Sequence, residues 1–203
     1  MKALKVLVLA LVTIVIFLCG VWIFAPWQQA GLYALDSVRL MCAKSGVFMT
    51  YSDFRQEGIL SPTFTMRSFD IESPVAKLSL SNVVVEILPL DSLLSGGASC
   101  QVNFGRSEIV MMPSNRLSLV RGSVRLAAGK STISARDADI AGELGVTGDA
   151  TYDRTNGTIP YSTLLIKVPD NIGMLLSNPM LSRFIESAGQ GEWSVKQSAP
   201  PKS

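Results

Sequence analysis

The chain contains no histidine. This absence excludes a Ser-His-Asp or Cys-His nucleophile system and any zinc site built on imidazole. Ser92 follows Asp91, but neither a histidine nor a nearby lysine is available to activate its hydroxyl. We therefore predict no catalytic residue, no metal site and no cofactor, and the protein is not expected to be an enzyme.

Cysteine is also scarce, and of the three present Cys19 lies inside an apolar run. Cys42 and Cys100 would share an oxidising compartment and could form a disulfide. The alternative is that both are small buried apolar residues. The sequence leaves both possibilities open.

Runs of lysine and arginine are missing as well. The chain has 18 Lys and Arg against 16 Asp and Glu, and Lys2 and Lys5 account for the whole excess. Nucleic-acid binding needs a concentrated basic surface, so we exclude a nucleic-acid partner.

One carboxylate pair needs an explanation. Asp137 and Asp139 would lie on one strand face about 7 Å apart, a pattern used in glycoside hydrolysis and calcium binding. Neither Asp nor Asn flanks them in a ligand ladder, and Arg125 and Arg136 offer ion pairs. We predict a solvated strand face.

The N-terminus holds an uncharged apolar run, Val6–Pro26, after Lys2 and Lys5. About 20 apolar residues match the ~30 Å bilayer core, and lysines favour the cytoplasmic side. A cleaved signal peptide would have a shorter apolar core and a small-residue cleavage site, whereas this run ends in Trp22, Ile23 and Phe24. We predict a transmembrane anchor at residues 1–26, a periplasmic β-rich domain at 27–196 and a disordered tail at 197–203.

The hydrophobic period then divides the chain into elements. Helical spacing predicts a helix at 27–44, ended by Gly46, a short helix at 89–95 and helical segments at 170–188. Alternation predicts strands over most of 47–168 and a closing strand at 192–195. The predicted strands are 47–52, 59–71, 75–80, 83–88, 98–104, 108–112, 117–128, 132–140, 144–152 and 158–168, with a hairpin at Asn156-Gly157.

The expected fold is mainly β: an antiparallel curled-sheet or jellyroll-like domain with short flanking helices. Its apolar strand faces could form an ordinary closed core or an open lipid groove, and the closed core is favoured. In a closed core Leu126→Asp should unfold the domain, and that is the result we expect. The residues that would line a groove are Phe64, Met66, Leu78, Leu80, Val124, Leu126, Leu144, Val146 and Leu164.

Three stretches carry a family resemblance: WQQAGLYALDSVRLMCAKSGVFMTYSDF after the anchor, PLDSLL, and GELGVTGDATYDRTNGTIPYSTLLIKVP leading to the GQGEWSV close. With them the chain resembles protein N of bacterial type II secretion systems and, more broadly, AsmA-like envelope proteins. The resemblance implies an inner-membrane helix and a periplasmic antiparallel β domain without enzymatic activity. It also implies other secretion-system or envelope proteins as partners.

A second resemblance, of layout alone, is to the single-anchor periplasmic proteins of lipopolysaccharide transport, which guide acyl chains along a β-jellyroll. Two functions therefore stay open. The first is a scaffold or interaction component of a secretion apparatus at the bacterial inner membrane, and the second is a lipid- or lipopolysaccharide-carrying module.

Overall fold

The protein is seen here in a computed structural model that describes residues 12–14, 16–17, 20–58, 61–111, 115–169, 185–189 and 191–197. The described elements are α1 (Trp27–Lys44), β1 (Phe48–Ser52), β2 (Arg55–Glu57), β3 (Thr63–Glu72), β4 (Ala76–Ile87), α2 (Pro89–Ser95), β5 (Ala98–Phe104), β6 (Ser107–Met111), β7 (Asn115–Ala128), β8 (Thr132–Gly142), β9 (Gly145–Asp153), β10 (Thr158–Ser162), β11 (Leu165–Lys167), β12 (Ile185–Gly189) and β13 (Glu192–Val195). The strands form one 13-stranded antiparallel sheet in the order β1-β3-β4-β5-β7-β8-β9-β11-β13-β12, with β2 beside β3, β10 beside β9, and β6 between β4 and β7. The prediction of a mainly β, antiparallel fold is confirmed.

Both predicted helices before residue 100 have the predicted bounds. Helix α1 follows Pro26 and ends before Gly46, which adopts a φ of 74° that glycine tolerates. Its half-buried side includes Leu32, Leu35 and Cys42, as the spacing indicates. The helix contacts β1 and β2 at one edge of the sheet.

Two strand predictions and one helix prediction need correction. Residues 75–80 and 83–88 were expected as separate strands, but β4 runs unbroken from Ala76 to Ile87. The expected strand 158–168 is divided into β10 and β11. Within the expected helical region 170–188, residues 185–188 belong to strand β12, because they pair with β13, and residues 170–184 lie outside the described part.

A shift in alternation explains why β4 was predicted as two strands. Its apolar side chains are Leu78 and Leu80 on one parity and Val83 and Val85 on the other, and Asn82 between them has a φ of 51°. The same shift occurs on β3 between Met66 and Phe69, on β7 between Leu119 and Gly122, and on β8 between Ala135 and Ala138. Between β3 and β4 the pairing register stays continuous, with Met66 opposite Val83 and Ser68 opposite Ser81, so the two strands reverse together. Between β7 and β8, and between β8 and β9, the register shifts as well, as in a β-bulge.

Strand β9 shows which side of the sheet these residues occupy. It alternates without interruption, so Val146 and Ala150 point to one side. Val146 pairs with Ile140 and Ala150 with Ala135, while the register of β8 shifts between Ala135 and Ala138. The extra residue on β8, Asp137, has a φ of 50°. The bulge thus keeps the apolar residues of both halves of the strand on one side of the sheet.

We call this side the apolar face, and the positions at which the alternation reverses divide it into two halves. The α2 half comprises residues 63–66, 83–87, 98–104, 121–128, 132–136 and 149–153. The Trp193 half comprises residues 68–72, 76–81, 107–111, 115–119, 138–142, 145–148 and 192–195.

The Trp193 half packs on itself. Leu117 and Val168 are buried there against Ile109, Met111, Leu144, Ile166 and Trp193. In the α2 half, helix α1 lies over Phe64, while Leu126, Ile133 and Tyr152 stay exposed. Within the described residues, the apolar face is therefore closed in the Trp193 half and on β3 and β4 of the α2 half, where Phe64, Met66 and Val83 are buried, and it is open around Leu126.

Of the two possibilities left open for Cys42 and Cys100, the structure shows no disulfide: both residues are half-buried free thiols. Cys42 belongs to α1, and Cys100 lies on β5.

The predicted anchor lies partly outside the described part, which leaves out residues 1–11, 15, 18 and 19. Residues 20–24 are helical. Of the helices described, none combines the length and apolarity that crossing a bilayer would need.

Candidate functional site

The candidate site is the exposed part of the apolar face in the α2 half. Its floor is made by cross-strand pairs in register: Val85 beside Val102, and Cys100 beside Leu126. Leu126 is 36% exposed. The cross-strand pairs on either side of it, Val102 with Val124 and Ala98 with Ala128, are also apolar. A contiguous apolar surface of this kind marks a binding or membrane-contact site.

The structure places the predicted lining residues in two environments. Phe64 and Met66 are buried, and α1 covers Phe64. Val124 and Leu126 belong to the open α2 half. The others are half-buried and belong to the Trp193 half or its border: Leu78, Leu80, Leu144, Val146 and Leu164. Of these, Leu144 packs in the cluster around Leu117.

Helix α1 forms one wall of the site through a close approach. The Phe54 and Phe64 rings stack at 5.5 Å, and a Cβ placed on Gly31 would lie 2.7 Å from the Phe64 ring. Glycine at this position lets the helix lie directly on the two rings. Tyr51 also donates a 3.5 Å hydrogen bond to Asp36 on the exposed side of the helix.

Several site residues were missed by the sequence prediction. Ala98, Cys100 and Val102 on β5, with Ile133 on β8 and Tyr152 on β9, share the apolar face. Strict alternation from residue 98 to 104 is the signal that could have identified the β5 members. Ile133 and Tyr152 depend on the pairing of β8 with β9, which a local period does not reveal.

Cys100 contributes a thiol group to this floor. Burial raises the pKa of its thiol above the ordinary cysteine value, because the thiolate is poorly solvated there. Cys100 is therefore a neutral thiol at physiological pH and belongs to the apolar surface chemically as well as by position.

A groove opens from this floor at the end of the sheet. It has a volume of about 960 Å³ and lies between residues 21–27 and helix α2. Almost all of its surface is apolar, and Ile87 and Ala98 connect it to the floor of the apolar face. This size lies within the range of sites that hold small ligands.

Two indoles lie at the side of the groove where the chain bends. The Trp22 and Trp27 rings are 4.4 Å apart, and the Trp27 indole N–H donates a 2.9 Å hydrogen bond to the Trp22 carbonyl oxygen. Pro26 separates residues 20–24 from α1. The same carbonyl accepts a 3.4 Å hydrogen bond from the Ala25 N–H, and the indole replaces the donor that Pro26, which has no N–H, cannot supply.

The opposite face of the α2 half is polar and held by ion pairs. Arg125 lies 3.8 Å from both Asp91 and Asp137, and Arg121 lies 4.0 Å from Asp139. Asp137 and Asp139 therefore pair with separate arginines, which supports the solvated strand face predicted for them.

Ser92 has a structural role at the end of the sheet. Its hydroxyl donates a 2.7 Å hydrogen bond to the Leu88 carbonyl oxygen and accepts one of 2.9 Å from the Ser99 N–H. These bonds join α2 to β5. They fix the helix beside the groove.

Comparison with known proteins gives one family. No curated protein and no solved structure matched the chain. The family described as type II secretion system protein GspN-like, Synergistales, matches residues 4–197. That span includes the N-terminal apolar run, both helices and the sheet, and the match does not extend the likeness to AsmA-like proteins in general. The chain therefore belongs to the GspN-like family of type II secretion system proteins of Synergistales.

Proposed function

We propose that the protein is a non-enzymatic component of a type II secretion apparatus, held at the inner membrane by residues 1–26. The β domain, residues 27–196, would lie in the periplasm and contact other secretion proteins as a scaffold. The observation that carries the proposal is the extent of the family match, which runs from residue 4 to residue 197.

Charge and length support the anchor. Lys2 and Lys5 precede Val6–Pro26, and no basic residue follows until Arg39. Positive charge favours the cytoplasmic side, and tryptophans such as Trp22 and Trp27 favour the membrane–water interface. These features support an N-terminus in the cytoplasm and a sheet outside it.

Reporter fusions after Ser203 test this topology. We expect activity from a reporter that works only in the periplasm, and none from one that works only in the cytoplasm. The reverse result would contradict the anchor and its orientation.

Deletion of the gene in its own bacterium tests the role in secretion. We expect proteins that depend on type II secretion to accumulate in the periplasm and to be depleted from the culture medium. A deletion of the secretion ATPase is the positive control. Unchanged secretion, in a strain where the ATPase deletion blocks it, would contradict the proposal.

A lipid-carrying role is the second candidate, and the open α2 half of the apolar face favours it. Each buried methylene of an acyl chain contributes about 0.8 kcal/mol, and Leu126, Ile133 and Tyr152 are available for contact.

Lipid transfer between vesicles tests the second candidate. The full chain is reconstituted in donor vesicles that contain a fluorescent phospholipid, and transfer to acceptor vesicles is followed. Faster transfer than from protein-free vesicles is expected from a carrier, and an unchanged rate would contradict it. Neighbouring genes separate the candidates further: secretion pilins and an ATPase favour the first, and lipopolysaccharide transport genes the second.

A further inference from the structure

We propose that the groove between residues 21–27 and α2 receives an acyl chain of a lipid from the adjacent membrane leaflet and leads it onto the apolar face. The inference rests on the proposed membrane anchor. Beyond that anchor, the inference specifies where on the protein a lipid first contacts the sheet.

The position of the groove is the first argument. The apolar run that begins at Val6 ends at the groove, and Trp22, Ile23 and Trp27 form one of its walls. Indoles of an anchored protein prefer the headgroup level of the bilayer. The groove mouth therefore lies at the depth where acyl chains begin.

The rim of the groove is the second argument. Leu93 on α2 is 80% exposed, and Leu90, one helical turn away, is 74% exposed. Phe24, which lies in the chain between the groove residues Ile23 and Ala25, is exposed as well. A protein-binding site is surrounded by a polar rim, whereas an apolar rim next to an anchor is suited to contact with lipid.

Continuity with the sheet is the third argument. Ile87 and Ala98 line the groove and also begin the open floor, since Ile87 pairs with Cys100, and Ala98 with Ala128. An acyl chain in the groove therefore meets Cys100 and Leu126 without crossing a polar surface. The polar Arg125 pairs lie on the other face.

Photo-crosslinking of the full chain tests this inference. p-Benzoylphenylalanine replaces one residue at a time in protein reconstituted into vesicles of phosphatidylethanolamine and phosphatidylglycerol, and lipid adducts are measured by mass spectrometry. Position 93 reports on the rim and position 98 on the groove interior. Position 75 is the matched control, because Val75 is 71% exposed but lies at the opposite end of β4.

We expect phospholipid adducts at 93 and 98 and none above background at 75. Adducts at 93 alone would overturn the inference, because α2 would then touch the membrane without taking a chain into the groove. Equal adducts at 93, 98 and 75 would overturn it too, since the sheet would then lie along the membrane.

A protein that stays in the membrane through carbonate extraction but yields no adducts refutes the groove and leaves the anchor intact. Release of the protein by carbonate would contradict the membrane anchor itself. The two failures are therefore distinguishable.

Discussion

At the scale of single residues, Glu143 ties the turn after β8 to the neighbouring strand. Its carboxylate accepts a 2.6 Å hydrogen bond from the Ser118 N–H and a 3.0 Å bond from the Ser118 hydroxyl. These bonds lower the pKa of Glu143, the backbone bond most strongly. Because the pKa is lower in the folded state, the ionised group stabilises the fold above the ordinary glutamate pKa of about 4.3.

Glu143→Gln should therefore lower the melting temperature at pH 7, and the difference from wild type should shrink as the pH falls through the lowered pKa. Thermal unfolding of both proteins between pH 7 and pH 3 measures this. Ser118→Ala is the control, since it keeps the backbone donor and should retain most of the pH dependence. A difference that is constant with pH would contradict the assignment.

Gly31 controls how closely α1 approaches the sheet. Gly31→Val places atoms against the Phe54 and Phe64 rings, which lie under 3 Å from a Cβ at this position. We expect the free energy of unfolding to fall by about 1–3 kcal/mol, as for overpacking, despite the better helix propensity of valine. Ala34→Val, on the exposed side of the same helix, should cost less, and denaturant unfolding compares the two. Equal losses would show that the helix does not rest on the rings.

At the scale of elements, a reversal of the alternation within the long strands keeps one side of the sheet apolar. On β4 it occurs at Asn82, which occupies the left-handed region with a φ of 51°. Asn82→Gly should be neutral or stabilising, whereas Asn82→Val should cost about 1–2 kcal/mol, because a β-branched residue is strained there. Denaturant unfolding of the two variants measures the difference. Equal stability would contradict the left-handed conformation at Asn82.

Most elements could be predicted from local pattern, and the exceptions have physical reasons. The bounds of α1, α2, β5 and β13 follow from their own spacing and end signals. The alternation reverses at Asn82, where the backbone is left-handed, so the local pattern divides β4 into two strands. Strand β12 depends on hydrogen bonds to β13, which helical spacing nearby does not reveal.

The candidate site was predictable only in part, for a related reason. Alternation identifies apolar residues such as Leu126 and Leu144, but it does not show which of them a second layer covers. Exposure depends on the path of the whole sheet and on where α1 lies. Leu126 is open and Leu144 packs in the Trp193 half for that reason.

At the scale of the whole molecule, one apolar face is closed in the Trp193 half and open around Leu126 in the α2 half. Leu117 and Leu126 lie on the same strand, β7, on opposite sides of the position where its alternation reverses. Leu117 is 4% exposed and Leu126 is 36% exposed. The sequence expectation that Leu126→Asp unfolds a closed core is therefore replaced by its opposite, because a carboxylate at 126 can reach water.

Thermal unfolding of Leu126→Asp beside Leu117→Asp, both in the full chain, tests this account most directly. Leu117→Asp buries an unpaired charge and should abolish the folding transition. Leu126→Asp should fold with a melting temperature within about 4 °C of wild type, the shift that about 1 kcal/mol produces in a domain of this size, and should lose the lipid adduct at position 98. If Leu126→Asp unfolds as Leu117→Asp does, the apolar face is covered and the account of an open lipid-facing surface is wrong.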